Sequence, residues 1–247
     1  MKTRRKIEIF GSPEKLAKKS AEMISEKLSG ILRDKNRASL VLSGGSTPKL
    51  LYKLLASEGY RAKIHWDKVL IFFGDERCVP PHDPLSNYKM AYEALLSKVP
   101  VPAENIFRMK GELAPLEAAK EYEENIKSSL GDDPHFDIVL LGMGADGHTA
   151  SLFPGTAALN ENQKLVAANY VEKLNTYRLT LTYPAINASQ NIMFLVAGKD
   201  KAETVKAVFG ETSDPPLPSQ LVYADNAEVI WLLDNPAAAL LSNKKTT

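Results

Sequence analysis

The residues best placed by type and spacing to do chemistry lie in Gly142-Met-Gly-Ala-Asp-Gly-His148. Three glycines within six residues make a loop of specialised conformation, and it carries a carboxylate, Asp146, and an imidazole, His148. A neutral imidazole is the usual general base near neutral pH. The plainer alternative is a structural histidine that bonds only its own loop, and the glycine setting weighs against it.

Two more polar segments bear glycines. In Ser43-Gly-Gly-Ser-Thr-Pro48, Gly44 and Gly45 let the backbone approach a ligand, Ser46 or Thr47 suits a helix cap, and Pro48 suits the first turn. A helix N-terminus with free N–H groups is a natural phosphate site. Taken alone, the segment reads more simply as a capped strand-to-helix turn, and it matches neither a Walker A loop nor the three-glycine dinucleotide fingerprint. Gly74-Asp-Glu-Arg77 places three charges in a row. Arg77 suits bidentate recognition of phosphate or carboxylate, and Asp75 suits orienting a histidine or a substrate hydroxyl. A solvated charged turn is the competing reading. Ser86-Asn-Tyr88 reads as a helix start. Arg178 and Lys201 add cations near expected sheet edges, although each by itself would be read as solvent-exposed. His65, His82 and His135 lack metal-ligand spacing, and there is no Gly-x-Ser-x-Gly elbow of a serine hydrolase.

These loops need elements to position them. Ala38–Leu42, Val69–Phe73, Phe136–Leu141, Ile192–Ala197 and Val229–Leu233 are continuous apolar runs, which predicts strands of a parallel sheet buried on both faces. Lys6–Phe10 is a further strand and Leu179–Thr182 a weaker one. Helical spacing covers Pro13–Leu32, Thr47–Ala56, Asn87–Val99, Pro115–Leu130, Lys199–Phe209 and Pro236–Leu241. Strands alternating with helices predict an α/β fold: a doubly wound, mostly parallel, Rossmann-like sheet with helices on both faces. The expected organisation is a single domain over 1–247, with a small extra lobe around 80–130 as a variant. Asp214-Pro-Pro-Leu-Pro218 reads as a rigid surface loop, and Ser242–Thr247 as a frayed tail. In open α/β sheets ligands bind outside the carboxyl ends of the strands. Each of the three glycine-bearing segments follows an expected strand, so all three converge on one edge.

Composition bounds the alternatives. The 247 residues are 44% hydrophobic and 25% charged, ordinary for a globular protein with a substantial core. A formal net charge of +1 leaves no electrostatic footprint for nucleic acid. The single cysteine, Cys78, excludes an internal disulfide. No apolar stretch is long enough to span a bilayer, and the basic N-terminus lacks the features of a signal peptide. The expectation is a cytoplasmic protein without nucleic-acid or membrane partners, taken as a monomer with a weak dimer as the alternative.

Together, Ser43–Pro48, Asp75–Arg77 with Ser86–Tyr88, and Leu141–Pro154 resemble the 6-phosphogluconolactonase family. Arg178–Thr182 and Gly198–Ala202 are similar to that family's later motifs, so the resemblance runs through nearly the whole chain in order. Leu174-Asn-Thr-Tyr177 departs from it, because the family often carries prolines there. The resemblance implies the fold shared with glucosamine-6-phosphate deaminase and ribose-5-phosphate isomerase, a phosphorylated sugar lactone as substrate, and no metal or organic cofactor. On that reading His148 takes a proton from water and returns it to the ring oxygen, with Asp75 or Asp146 holding the imidazole or a sugar hydroxyl. Ser43, Gly44, Gly45, Thr47, Arg77, Gly147, Arg178 and Lys201 are the candidates for binding the substrate and its developing oxyanion. The nearest rival is an amino-sugar-phosphate deaminase/isomerase. Such enzymes resemble Gly-His-Ile-Ala-Phe-Asn-Glu at this loop, whereas this chain has Thr149-Ala-Ser-Leu-Phe-Pro154 and no acid. A non-catalytic sugar-phosphate sensor is the second rival. With a first strand expected from about Lys6, no DNA-binding segment of the kind such regulators carry is expected.

Overall fold

The computed structural model describes residues 4–210, 214–224 and 228–241. The tail at Ser242–Thr247 lies outside the described residues. Six strands form one wholly parallel sheet: β1 (Arg4–Phe10), β2 (Ala38–Leu42), β3 (Val69–Phe73), β5 (Ile138–Leu141), β8 (Ile192–Val196) and β9 (Glu228–Asp234). Their order is β1-β9-β8-β5-β2-β3. A second, antiparallel sheet, β4-β7-β6, is built from β4 (Asp75–Arg77), β6 (Val166–Val171) and β7 (Thr176–Leu181). This three-stranded sheet is the addition to the Rossmann-like core, and it is drawn from other stretches than residues 80–130.

Strand residues alternate between two cores, because successive side chains of a strand point to opposite faces. Leu40, Leu42, Ile71, Phe73, Leu140 and Leu195 pack with α1 (Pro13–Asp34) and α2 (Ser46–Leu55). The short α3 (Glu58–Arg61) follows α2. The same face receives α4 (Asn87–Ala91), which runs on as a wider π-helical stretch, Tyr92–Leu96, where a regular helix to Val99 was expected. Val41, Phe72, Val139, Phe194 and Trp231 pack on the other face with α5 (Pro115–Leu130), α6 (Tyr183–Asn187) and α7 (Ala202–Phe209). Residues 236–240, expected to be helical, form turns. Among the described residues no helix is long and apolar enough to cross a membrane.

Chain direction matters most at β2 and β5, which lie side by side. After β2 the chain enters α2 on one face of the sheet. After β5 it passes through β6 and β7 to α6 on the other. A crevice opens between the two exits, the topological switch point of a doubly wound sheet. The amino ends are pinned by a buried carboxylate: Asp137 accepts from Ser39 N–H at 2.8 Å and from Lys35 Nζ, and its own N–H donates to Ser39 Oγ at 2.8 Å.

At the carboxyl ends, two buried tyrosines repeat one device. Tyr52 Oη accepts the Ser43 N–H and donates to the Ser43 carbonyl, both at 2.8 Å. Tyr122 Oη does the same for Phe73, at 2.7 and 3.1 Å. Burial pushes both phenols well above their ordinary pKa, so each stays a neutral donor and acceptor. Tyr52→Phe leaves the buried Ser43 peptide without its partner. The expected loss is ~1–3 kcal/mol in urea unfolding, the usual cost of an unsatisfied buried group. A change within error would show that the peptide finds water instead.

Candidate active site

Loop 142–148 closes on itself before it presents any chemistry. Gly144 N–H donates to the His148 carbonyl at 2.9 Å, and Gly147 N–H donates to the Gly144 carbonyl at 3.0 Å. The imidazole folds back across Gly144. A methyl group there would stand 2.1 Å from His148 Cε1 and Nδ1, so only glycine leaves room for the ring. Phe153 stacks on the imidazole with centroids 4.1 Å apart. Ala150, which lines the cleft, sits at φ 47, a region costly for a residue with a side chain. Bonds on either side hold it: Thr149 Oγ1 to the Gly142 carbonyl at 2.8 Å, and Ser151 N–H to Thr180 Oγ1 at 3.1 Å.

His148 Nδ1 lies 2.5 Å from Asp146 Oδ1. An ionised carboxylate only accepts, so Nδ1 carries a proton, and in the neutral imidazole Nε2 is the nitrogen free to act as a base. The other oxygen, Oδ2, pairs with Lys173 Nζ. Burial alone would push the Asp146 carboxyl up, but the hydrogen bonds from His148 and Lys173 outweigh it and hold it far below the usual carboxylate range.

Asp75 is differently engaged. Its Oδ2 accepts from Ser151 Oγ at 2.7 Å and its Oδ1 from Asn87 Nδ2 at 3.1 Å. It therefore does not hold the imidazole, which corrects one of the two expectations for it. With both oxygens anchored it still lines the cleft. The neighbouring Glu76 faces away into a ring of donors: the N–H groups of Arg77, Asn87 and Tyr88 at 2.7–2.8 Å and Ser86 Oγ at 3.0 Å. Burial pushes its carboxyl up against the pull of those bonds. Glu76 thus fixes Asn87, whose amide oxygen presses on Gly44. A Cβ there would meet it at 2.1 Å.

The cleft so formed measures about 260 Å³, the small end of ligand-pocket sizes. Ser43, Gly44, Gly45, Thr47, Asp75, Arg77, His148 and Lys201 line it, with Asn87 and Met143 among the residues not anticipated. Three expected residues do not line it. Asp146 sits behind His148. Gly147 faces Leu217, and its carbonyl accepts from Ser219 N–H at 3.0 Å, so its part is to shape the loop. The proline-rich stretch therefore packs onto loop 142–148 rather than forming a free surface loop. Arg178 stands directly opposite Arg77 in the β4–β7 ladder, off the cleft wall. Burial first, and then the Arg77 charge, lower its pKa.

The helix after Ser43 is capped differently from the expectation. Gly45 is the N-cap, at φ 106 and with no side-chain bond, so the hydroxyls of Ser46 and Thr47 remain free for a ligand beside the open N–H groups of α2. Across the cleft, Lys201 pairs with Asp200 at 2.9 Å. The glycine preceding its turn, Gly198, donates its N–H to the buried Asp234 at 3.1 Å. Sequence reasoning missed Asn87, Ser151, Phe153 and Lys173. Asn87 and Ser151 were signalled only by lying within recognisable motifs, and Lys173 carried no local signal at all. Among the described residues no three His, Cys, Asp or Glu side chains gather as a metal site.

The chain and its fold are similar to those of known proteins. The family model for glucosamine-6-phosphate isomerases/6-phosphogluconolactonase matches residues 11–231. A 6-phosphogluconolactonase of Nostoc sp. (strain PCC 7120) is 40% identical over 242 residues, covering 96% of this chain and 98% of its own. The 6-phosphogluconolactonase structure from Trypanosoma brucei is similar with a TM-score of 0.87 at 28% identity, over 98% of this chain and 100% of that one. A monomeric glucosamine-6-phosphate deaminase, at 24% identity and a TM-score of 0.79 over 95% of this chain and 99% of its own, shares the fold.

The bonding of Asp146 has a consequence for acid stability. A carboxyl whose folded pKa lies below its unfolded value of about 3.9 stabilises the fold above that pH. The contribution is lost as pH falls toward the folded value. Urea unfolding of wild type and Asp146→Asn should show a stability gap at neutral pH that shrinks toward about pH 3. A gap that widens in acid would contradict the assigned bonding.

Proposed function

The chain belongs to the glucosamine-6-phosphate isomerase/6-phosphogluconolactonase family, and we propose that within it this protein hydrolyses 6-phospho-D-glucono-1,5-lactone to 6-phospho-D-gluconate, in the oxidative pentose phosphate pathway. One observation carries the reading. An imidazole whose Nδ1 is tied to a carboxylate stands, with Nε2 free, in a small cleft that also holds an oriented carboxylate and two cations. Relatives similar over the full chain bear the lactonase name. After His148 this chain has Phe153 stacked on the ring and Ser151 bonded to Asp75, where the deaminases carry an acid.

The chemistry follows from the groups present. His148 Nε2 takes a proton from water as its oxygen attacks the lactone carbonyl carbon. The carbonyl oxygen becomes an oxyanion, which the N–H groups at the α2 N-terminus stabilise. The tetrahedral centre collapses by breaking its bond to the ring oxygen, and the imidazolium returns its proton there. Asp146 keeps the ring in the working tautomer and stabilises the imidazolium. Asp75, anchored by Asn87 and Ser151, accepts hydrogen bonds from the sugar hydroxyls. Arg77 and Lys201 are the cations for phosphate. Arg178, opposite Arg77 in the β4–β7 ladder, raises the local positive potential, and like charges set opposite in an antiparallel pair favour an anion nearby. We take the protein to act as a cytoplasmic monomer on this small molecule, without nucleic-acid or membrane partners.

A coupled assay on freshly generated lactone tests the base. His148→Ala should lower kcat by ~10²–10⁴-fold with little change in affinity for 6-phosphogluconate. Near-normal turnover would sink the assignment. Arg77→Lys keeps the charge but loses the planar fork. KM should rise several-fold while circular dichroism and thermal unfolding stay as in wild type. Unchanged kinetics would move phosphate recognition elsewhere.

A further inference from the structure

The hairpin β6–β7 brings one more side chain to the catalytic loop. Its tip is a 3-10 turn, Glu172–Leu174, closed by Asn175 at φ 47. That turn sets Lys173 against Asp146 Oδ2, with Nζ also 4.6 Å from the centre of the Phe153 ring. Phe153 in turn stacks on the His148 imidazole at an interplanar angle of 25°. One aromatic ring therefore contacts both hydrogen-bond donors to one carboxylate, the His148 imidazole and the Lys173 ammonium, and the three side chains fix one another. The other charged groups around the cleft have partners of their own. Asp75 is held by Asn87 and Ser151, Arg77 by the Leu85 carbonyl, and Lys201 by Asp200.

The Lys173 side chain is 52% exposed, and ion pairs so exposed contribute little to stability. Its effect is geometric. A carboxylate bonded through one oxygen only can swing about its side chain and offer the imidazole either a good or a poor acceptor. Anchoring the second oxygen removes that freedom.

We propose that Lys173 is a positioning residue for lactone hydrolysis: by holding Asp146 Oδ2 it keeps Oδ1 on His148 Nδ1, and so keeps Nε2 unprotonated and aimed into the cleft. The proposal rests on His148 as the general base. Lys173 itself touches neither substrate nor reacting atoms.

Lys173→Met retains an apolar stem over Phe153 and removes the ammonium, while Lys173→Arg retains the charge. In the coupled assay Lys173→Met should lower kcat by about 3- to 10-fold with KM nearly unchanged, the scale of coupling between contacting residues. Lys173→Arg should recover most of that loss. In an Asp146→Asn background Lys173→Met should cost nothing further, since the group it holds is gone. Imidazole ¹⁵N spectra of the free enzyme at about pH 8, where imidazoles are ordinarily neutral, should show one tautomer in wild type and a mixture in Lys173→Met. An unchanged nitrogen pattern overturns the proposal. So does an equal loss of kcat with Asp146 intact or replaced, which would mark a general structural effect. A changed pattern with unchanged kcat supports the hold on the ring and counts instead against His148 as the base, so the two readings fail separately.

Discussion

The adjacency of β2 and β5, whose chains leave toward opposite faces of the sheet, is the constraint on which the site depends. Two parallel strands that part in this way cannot cover their shared carboxyl edge, so a crevice remains. Loop 43–48 and loop 142–148 both empty into it, and a Cβ on Gly142 would stand 3.7 Å from Ser43 Oγ. The buried apparatus around this edge serves to hold backbone still. Tyr52 and Tyr122 clamp the strand ends, Asp137 pins the far ends, and Asp234 holds the turn that carries Lys201. Rigid backbone lets a small cleft keep donors and acceptors at fixed positions, which is what stabilising a short-lived charge requires.

The second sheet explains why a Rossmann-like core alone would be incomplete. One residue after β3 the chain leaves the parallel sheet at Gly74 and joins β4, whose partner β7 also carries Arg178. The β6–β7 hairpin, of which β7 is one arm, reaches loop 142–148 at its tip. Cations far apart in sequence thus gather around one cleft while the whole chain stays near neutral, at +1. Local potential is decided by which strands pair, and net charge does not report it.

Three acidic residues close together in the fold take three different parts, because their partners differ. Asp146 accepts hydrogen bonds from the His148 imidazole and the Lys173 ammonium, which hold it ionised. Glu76 is buried among backbone donors and shapes the chain around Asn87. Asp75 is tethered by two neutral side chains and left facing the cleft. The type of side chain set none of these roles.

The residues alone were enough to predict the α/β class, the strand cores and the three loops at one sheet edge. Those inferences rest on local patterns: apolar runs of strand length, helical spacing, and glycines after strands. Boundaries shifted where a neighbour decided them. Gly45 rather than Ser46 or Thr47 caps α2, and residues 236–240 turn instead of coiling. Membership of His148 in the site was also legible, since its loop is contiguous. The choice between Asp75 and Asp146 as its partner was not, because both are carboxylates near glycines and only distance separates them. Lys173 lies beyond any sequence window around Asp146, and the β6–β7 pairing alone brings the two together. Local periodicity thus determined what the chain builds and which edge it leaves open, while long-range strand pairing decided which charges meet there.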